Sequence, residues 1–451
     1  MKTLFVLLLV LTLLFGPGAV SSNLVEASSA PADEVLITLG DPITVNGPGA
    51  VVAGNTVTIV AGGVFRAIGT LADGMIEVNT TDEVTLILDD IALTNSSGPA
   101  IKVSDAMLVS LILADGTTNT LVDGSSYSGA KGTLFSNDPL EISGHGALQI
   151  TGNYKHGIVS DDNIVIDSGD ITIQSATDGM HANDDITVHG GTITITESND
   201  GIESEGTLLI DGGVLTVAAD DDGIVSEGAM VVNGGAIEIT TAVDGLDSKD
   251  TLTIDQGEVS VEASDNGLSA ANDLTVNGGQ IYAHAADDVI KSDGTMSFNG
   301  GVTVAVGGES PISSLVCGES CEIAFNGGIV VATGGAYSTL SGSSAQRVAV
   351  LGPGEAGTAL RIVRDDGEDV LTFEASQAYE NMIFSSPALL ANRVFNVRKG
   401  GSISGGSDFH GLYTSATYTG GSLVAFFNTD AVVTYVGRIY RYLPICPISA
   451  S

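Results

Sequence analysis

The sequence predicts an all-β protein that folds as a right-handed parallel β-helix with 22-residue coils. Three observations predict this fold class: glycines that recur at a fixed interval, short groups of alternating apolar residues between them, and a turn-rich composition. The 451 residues include 59 glycines and no tryptophan, and only 5% are aromatic. Such a composition is typical of β-structure with many turns, and the even spread of apolar residues excludes a disordered chain.

The first 22 residues have the features of a secretory signal peptide. Lys2 precedes an apolar run from Thr3 to Phe15, and small residues follow up to Ser22. This run is too short for a membrane span, and no later segment reaches the required length. We therefore expect an exported mature protein that is extracellular, on the cell surface or periplasmic, with no membrane span.

The charge of the chain is strongly negative. Fifty-five acidic and 15 basic residues give a formal net charge of −40. Such a surface repels the phosphates of nucleic acids and of anionic lipids, so nucleic acid is excluded as a partner. It also repels itself, and bound cations at the densest carboxylates are the simplest remedy.

Residues 156–309 repeat with a period of 22 residues. One column of the repeat contains Gly157, Gly179, Gly201, Gly223, Gly245 and Gly267, and Val289 continues it. Each repeat contains three short alternating apolar groups, for example Ile202, then Leu208 and Ile210, then Leu215 and Val217. Period-two alternation predicts strands, and strands this short bury little unless their equivalents stack on them. Each repeat is therefore predicted to be one three-stranded coil of a solenoid, and right-handed winding is the rule for parallel crossovers.

A second column, at the turn before the paired glycines, is rich in Asp and Asn. Its members are Asp167, His189, Asp211, Asn233, Asp255, Asn277 and Asn299. Asn and Asp side chains hydrogen-bond turn backbones, so we predict a structural role for this column.

Acidic residues gather around the glycine column. They occur directly before the glycine, one position earlier and two positions after it. These positions supply the candidate metal ligands Asp178, Asn199, Asp200, Glu203, Asp221, Asp222, Asp244, Asp247, Asp265, Asp287 and Asp288. Because the intervening residue points inward, we expect these side chains to face solvent on one edge. Stacked carboxylates repel there by about 1 kcal/mol per neighbouring pair in water.

Calcium is the cofactor that this acidic edge predicts. Ca²⁺ accepts about six to eight oxygens in loose geometry, and neighbouring coils offer carboxylates, amide oxygens and turn carbonyls together. Mg²⁺ has a stricter geometry and fits less well. The alternative is that Asp-Gly is simply a favoured turn pair and that the acids are solvated.

The two ends of the chain depart from the regular repeat. We predict that the β-helix occupies residues 33–309, with irregular first coils and a cap before residue 156, because solenoid ends need caps. Residues 310–451 are predicted to form the last coils or cap and a small C-terminal β-domain. Cys317 and Cys321 are close enough in sequence for a small disulfide loop that leaves Cys446 unpaired, although spacing alone does not establish it.

Three segments resemble a family of secreted bacterial carbohydrate-binding-domain proteins. They are Asp-Asp-Gly-Ile at 221–224, Asn-Gly-Gly at 233–235 and Leu-Ala-Asp-Gly-Thr-Thr-Asn-Thr-Leu at 113–121. The resemblance covers nearly the whole mature chain. It implies a pectate-lyase-like right-handed parallel β-helix that binds calcium and is associated with plant cell-wall polysaccharide.

Calcium-dependent pectate lyases of similar fold carry an acid two residues after Asp-Asp-Gly and an Asp one coil earlier. By this resemblance two groups are expected: Asp178 with Asn199, Asp200 and Glu203, and Asp222 with Asp244 and Asp247. The coil of Asp221 departs from the pattern, because Val225 stands where the trailing acid is expected. Which coils hold calcium is left open.

Bases for lyase chemistry are scarce in the repeats. Abstraction of a ring proton needs a base near the cation, and residues 156–309 contain no Arg and only two lysines, Lys249 and Lys291. Lys291 is the candidate base, and an ion pair that relieves the acidic edge is the alternative role for it.

The sequence thus favours a calcium-dependent binder of polysaccharide over an enzyme. The expected ligand is an acidic plant cell-wall polysaccharide resembling polygalacturonate, or cellulose. A pectate lyase is one alternative, and a calcium-stabilised surface or adhesin scaffold without a sugar site is another. The sequence leaves the oligomeric state open.

Overall fold

A computed structural model describes residues 34–437, and these residues form a parallel β-solenoid. The solenoid has about 13 turns with coils about 22 residues apart, and the described residues contain no helix. The fold class predicted from the repeat is therefore confirmed. The signal peptide at residues 1–22 and Cys446 lie outside the described residues.

Three stacks of strands form the faces of the solenoid. The first face is a sheet of 14 strands, which is parallel except for its first pair. Its strands are Ala50–Ala53, Thr56–Ile59, Met75–Asn79, Ile101–Asp105, Gly132–Ser136, His156–Ser160, Met180–Ala182, Ile202–Ser204, Ile224–Ser226, Leu246–Ser248, Leu268–Ala270, Asp288–Ser292, Ser313–Cys317 and Ala336–Tyr337.

The second and third faces complete each coil. The second face contains Leu108–Leu113, Leu140–Gly144, Ile164–Ile166, Ile186–Val188, Leu208–Ile210, Met230–Val232, Leu252–Ile254, Leu274–Val276, Met296–Phe298 and Ala324–Phe325. The third face contains Thr118–Val122, Ala147–Gly152, Asp170–Ser175, Thr192–Glu197, Val214–Ala218, Ala236–Thr241, Glu258–Glu262, Gln280–His284, Val302–Val306 and Ile329–Gly334. Parallel pairing thus continues beyond residue 309.

The first coils use long strands that run through two faces. Glu83–Thr94 pairs with Leu108–Leu113 on the second face and with Thr118–Val122 on the third face. Gly63–Leu71 stacks below Glu83–Thr94, and Val35–Leu39 stacks below Gly63–Leu71. The remaining strand of this end is Thr44–Asn46, which pairs antiparallel with Val35–Leu39.

The C-terminal strands end the stack and cover one face. Ile329–Gly334 pairs antiparallel with Asn381–Ser385, which also pairs with Val348–Leu351, and the latter lies beside Val433–Val436. A separate sheet of six strands contains Ala359–Arg364, Asp369–Glu374, Val394–Lys399, Ser407–Phe409, Leu412–Thr414 and Ser422–Asn428, and a two-stranded sheet contains Ser402–Ser404 and Thr417–Thr419. The apolar side of this region packs on Tyr282, Val304 and Val331 of the third face, and the Tyr282 ring stacks on His410 at 3.6 Å.

The core consists of stacked apolar columns, as the repeat predicts. On the first face the inward column is fully buried and contains Ile158, Met180, Ile202, Ile224, Leu246, Leu268 and Ile290. Each of these side chains packs on its equivalent one coil away, because the strands pair without any shift in register. Burial of a whole column removes apolar surface that no single three-residue strand can bury by itself.

The glycine column marks a close approach between coils. A Cβ atom on Gly201 would lie 2.3 Å from the carbonyl oxygen of Gly223, and the equivalent contact at Gly179 is 2.6 Å. In the turn column, Asn233 donates to Asp211 at 2.7 Å and Asn277 donates to Asp255 at 2.7 Å. The turn column therefore links successive coils through side chains, which gives it the structural role predicted for it.

Two further features are a disulfide and the absence of a membrane-spanning helix among residues 34–437. Cys317 and Cys321 form a disulfide. No helix able to cross a bilayer occurs between residues 34 and 437.

Candidate cation-binding site

The acidic residues lie on the outer side of the first face. The residue two positions after each glycine is the middle residue of a first-face strand, between two buried neighbours. The expectation that all these acids face solvent is wrong for two of them, because Asp178 is 5% exposed and Asp247 is 4% exposed. His156 and His181 contact the carboxylate of Asp178, and Lys249 contacts that of Asp247.

Group one consists of Asp178, Asp200 and Glu203. One carboxylate oxygen from each residue lies within 4.8 Å of the others. Asp178 precedes the glycine of one coil, whereas Asp200 and Glu203 flank the glycine of the next coil, and the two coils pair in register. The structure thus brings together three of the four residues that the resemblance assigned to this group. The fourth, Asn199, is exposed and donates to Asp200 at 3.3 Å.

Two histidines border group one. His156 Nδ1 lies 2.8 Å from Asp178 Oδ2, and His181 Nδ1 lies 3.3 Å from the same oxygen. His181 Nδ1 also lies 2.7 Å from Glu203 Oε2. The two imidazole rings stack with centroids 4.7 Å apart. The chain itself therefore supplies two imidazoles that contact the carboxylates of group one.

The histidines change the protonation of group one. Burial opposes ionisation of Asp178, but hydrogen bonds from His156 and His181 outweigh burial and hold its pKa below the usual range. Burial also disfavours the charged form of His181, yet hydrogen bonds to Asp178 and Glu203 raise its pKa to about 10. The pKa of Asp200 is raised, mainly by burial and also by neighbouring carboxylates. At neutral pH, His181 is thus an imidazolium in contact with two carboxylates.

Group two consists of Asp222, Asp244 and Asp247. It repeats the arrangement of group one two coils later, and its three carboxylate oxygens again lie within 4.8 Å of one another. Lys249 forms an ion pair with Asp247. In residues 34–437 no histidine joins this group.

Group two is poorly neutralised. Burial is the largest cause that raises the pKa of Asp222 to about 7, and the negative charges of Asp244 and Asp247 raise it further. Burial lowers the pKa of Lys249, but its hydrogen bond to Asp247 outweighs this and raises it. Without a bound cation, one carboxyl of the group is thus partly protonated near neutral pH.

The remaining candidates are not gathered into a comparable group. Asp221 and Asp287 are exposed, while Asp265 and Asp288 are partly buried with raised pKa values that arise mainly from burial. Lys291 is the fourth residue of the strand Asp288–Ser292 and lies in the same column as Glu203 and Asp247. Within residues 34–437 it forms no ion pair, although its charge offsets part of the rise in the pKa of Asp265 and of Asp288.

Part of the acidic column has a structural role. Asp200 Oδ1 accepts the backbone N–H of Asp222 at 2.9 Å, and Asp244 Oδ1 accepts the backbone N–H of Asn266 at 2.8 Å. These bonds link each coil to the next one. One oxygen of each carboxylate is thus engaged with the backbone, and the other oxygen is left for neighbouring groups.

The donor sets decide how well each group fits calcium. Group two offers only carboxylate oxygens from two coils, which is the donor type that Ca²⁺ prefers. Group one offers oxygens as well, but the imidazolium of His181 already contacts two of its carboxylates. A calcium ion would have to compete with that charge. Group two is therefore the better fit.

The sequence reasoning did not assign roles to His156 and His181, although the repeat contained the signal. His156 directly precedes Gly157 and so occupies the column of Asp178. His181 stands two residues after Gly179, in the column of Glu203. When the coils are aligned by their acidic residues alone, these two histidines are left out although they occupy the same repeat positions.

Comparison with known proteins identifies a family. A family model described as carbohydrate-binding domain-containing protein matches residues 53–244 and 240–352. A protein of that description from Acetivibrio thermocellus is 29% identical over 139 residues, which are 29% of this chain and 49% of the relative. A solved structure of the polysaccharide lyase-like protein from C. thermocellum, a gadolinium derivative, is 26% identical with a TM-score of 0.43. That match covers 49% of this chain and 96% of the solved chain.

The fold and the acidic first face define a class, the repeat-built parallel β-solenoids with a charged outer face. The matched residues make up more than half of the chain, so it belongs to the family of carbohydrate-binding domain-containing proteins. This confirms the resemblance found in the sequence. It also supports a carbohydrate as the class of ligand. The chain spans about half the length of the Acetivibrio thermocellus relative.

Proposed function

We propose that the protein is an exported, calcium-dependent polysaccharide-binding protein whose first face carries the cations. The proposed ligand is an acidic plant cell-wall polysaccharide resembling polygalacturonate, and cellulose is the neutral alternative. An acidic surface holds an acidic polymer when cations bridge the two. The family membership supports the carbohydrate, and the geometry of the first face supports the cations.

One observation carries the proposal. Group two brings three carboxylates from neighbouring coils within 4.8 Å, and among the described residues 34–437 only Lys249 forms an ion pair with them. The pKa of Asp222, which is raised to about 7 by burial and by its acidic neighbours, supports the binding of a positive charge there. A divalent cation with oxygen ligands neutralises this group, and its six to eight coordination positions leave room for the oxygens of a bridging sugar carboxylate.

Retention on insoluble polysaccharide tests the proposal. The purified mature chain is incubated with calcium-free polygalacturonate gel and with cellulose, in 1 mM Ca²⁺ or in EDTA. We expect strong retention in calcium and much weaker retention in EDTA, because the bridging ions are removed. Asp222→Asn/Asp244→Asn should behave in calcium as the parent chain does in EDTA. Asp220→Asn, an exposed acid outside the groups, is the matched control.

The same experiment separates the binder from a scaffold. A chain that melts at lower temperature in EDTA, yet is retained on neither polysaccharide, is a calcium-stabilised scaffold without a sugar site. Retention that is equal in calcium and EDTA contradicts the role of the cations.

A lyase is the second candidate, and the position of Lys291 favours it. This lysine lies on the acidic face near Asp265 and Asp288, without an ion pair among residues 34–437. Release of unsaturated, ultraviolet-absorbing products from polygalacturonate in calcium would establish lyase activity. Lys291→Ala should then abolish product release, while Lys249→Ala, which removes the other lysine of the regular coils, should leave it measurable.

A further inference from the structure

A cleft lies on the first face beside group one, and its lining includes aromatic and basic side chains. Its volume is about 420 Å³, and Tyr127, Lys131, Tyr154 and Lys155 line it. We propose that this cleft binds a single anionic sugar unit, a uronate, of the polysaccharide. The inference rests on the proposed carbohydrate-binding function and names the ligand class and the residues that would hold it.

The two tyrosines supply an apolar platform. Their ring centroids are 4.6 Å apart with the planes inclined at 54°, so the rings form a corner and not a flat stack. Pyranose rings have an apolar face of C–H groups that packs against aromatic rings, while their hydroxyls stay in water. The described residues contain no tryptophan, and the other tyrosine on the outside of a regular coil, Tyr282, is covered by His410. This corner is therefore an unusual feature of the solenoid.

The lysines supply the positive charge. Lys131 Nζ lies 2.6 Å from Asp161 Oδ1, so its charge is already compensated. Lys155 Nζ lies 5.6 Å from the centroid of the Tyr154 ring and forms no ion pair within residues 34–437. In a chain with a formal net charge of −40, an uncompensated ammonium beside an aromatic corner attracts an anionic group. A sugar carboxylate has the charge and size to contact it.

A buried acid holds the cleft in place. Asp123 is 3% exposed, and one of its oxygens accepts the hydroxyl proton of Tyr127 at 2.7 Å. Its other oxygen accepts the backbone N–H of Asn153 at 2.5 Å, directly before Tyr154. Both ring-bearing segments are thus tied to one residue. A cleft formed in advance lowers the entropy cost of binding. Asp123 is a positioning residue in this scheme.

The location of the cleft connects it with the cation groups. Lys155 is followed by His156, which contacts Asp178 of group one. In the other direction the loop Ser128, Gly129 and Ala130 is shared with a second cleft of about 340 Å³. A polysaccharide chain that places one uronate in the aromatic corner can therefore extend along the first face to the carboxylate groups.

Calorimetric titration of the full mature chain with trigalacturonate in EDTA tests the cleft without any cation. We expect measurable binding, weakened about tenfold by Tyr154→Ala and about fivefold by Lys155→Gln. The methyl ester of trigalacturonate should bind as weakly as the acid binds to Lys155→Gln. Lys155→Gln should not weaken the ester further, because the ester lacks the charge that Lys155 contacts.

The controls separate the cleft from the proposed function. Phe426→Ala, a 75% exposed aromatic of the C-terminal sheet, should leave the affinity unchanged. Unchanged affinity in Tyr154→Ala and Lys155→Gln, or tighter binding of cellotriose than of trigalacturonate, overturns the uronate cleft. Retention on polygalacturonate in calcium would then still support the proposed function. A parent chain that binds neither the trisaccharide nor any polysaccharide overturns both.

Discussion

The two carboxylate groups occupy the same columns of the repeat, two coils apart, and differ in the charge that neutralises them. In group one, His156 and His181 contact Asp178 and hold its pKa below the usual range. In group two, Lys249 is the one basic side chain between residues 34 and 437 that forms an ion pair with the carboxylates, and the pKa of Asp222 is raised to about 7, first by burial and then by its acidic neighbours. The comparison teaches that the same carboxylate geometry can be neutralised to different extents by its neighbours. We therefore expect the two groups to differ in cation affinity.

The largest expected effect concerns calcium binding to group two. Asp222→Asn/Asp244→Asn should lower the affinity of that site by at least about 100-fold, because two of its three carboxylates are lost. At calcium about 100 times above the dissociation constant, the parent chain gains about 2.7 kcal/mol that the variant should not gain. Calorimetric calcium titrations and melting curves measure both quantities. If Asp178→Asn removed the tightest site and the double variant kept it, the order of the two groups would be reversed.

The second largest effect is expected from the loss of His181, which borders group one. His181→Ala leaves Asp178 and Glu203 without their shared donor, and we expect a loss of about 2 kcal/mol of unfolding free energy near pH 6. Because the folded pKa of His181 is raised to about 10, its contribution is full below the ordinary pKa of 6.5 and is lost as the pH rises through 10. Melting in EDTA at pH 6 and pH 10 measures this. His189→Ala, a half-exposed histidine of the turn column, should change stability by less than about 0.5 kcal/mol. Equal losses in the two variants would contradict the role of His181.

A smaller effect is expected from pH at group two. The folded pKa of Asp222 is raised to about 7 from an ordinary 3.8, so in EDTA the folded state retains a proton that the unfolded state has lost. Stability should therefore fall as the pH rises from 4 to 7, by about 1 kcal/mol after allowance for solvent screening. Calcium should reduce this slope, because it replaces the proton. Asp222→Asn should remove the contribution. A slope that calcium leaves unchanged would show that the ion does not bind at Asp222.

The smallest effect is expected at Lys249. Lys249→Gln removes the one positive charge that competes with a cation at group two, so the calcium affinity should rise about threefold. A calcium titration beside Lys102→Gln, whose ion pair lies among the irregular first coils, provides the control. A weaker affinity in Lys249→Gln would show that Lys249 supports the site.

The sequence predicts most of the solenoid because its central coils, residues 156–309, are identical in length. The inward columns, the close approach at the glycines and the linked turn column all follow from a strict period of 22 residues. The same period predicts the pairing of Asp178 with Glu203 across coils. Sequence reasoning misses His156 and His181, which lie on the period, because only acids are aligned, and it misses other features because they lie off the period. The aromatic corner of Tyr127 and Tyr154 depends on an irregular loop, and the burial of Asp178 depends on neighbouring strands.

The antiparallel strand at the end of the stack has a consequence for how the protein behaves at high concentration. A parallel solenoid presents an unpaired strand edge at each end, and such an edge is a template for another copy to add on. Here Asn381–Ser385 runs against the direction of Ile329–Gly334, and at the opposite end Thr44–Asn46 opposes Val35–Leu39. Reversal of strand direction removes the edge that an identical coil could extend. A chain shortened before residue 381 should therefore assemble end to end into filaments.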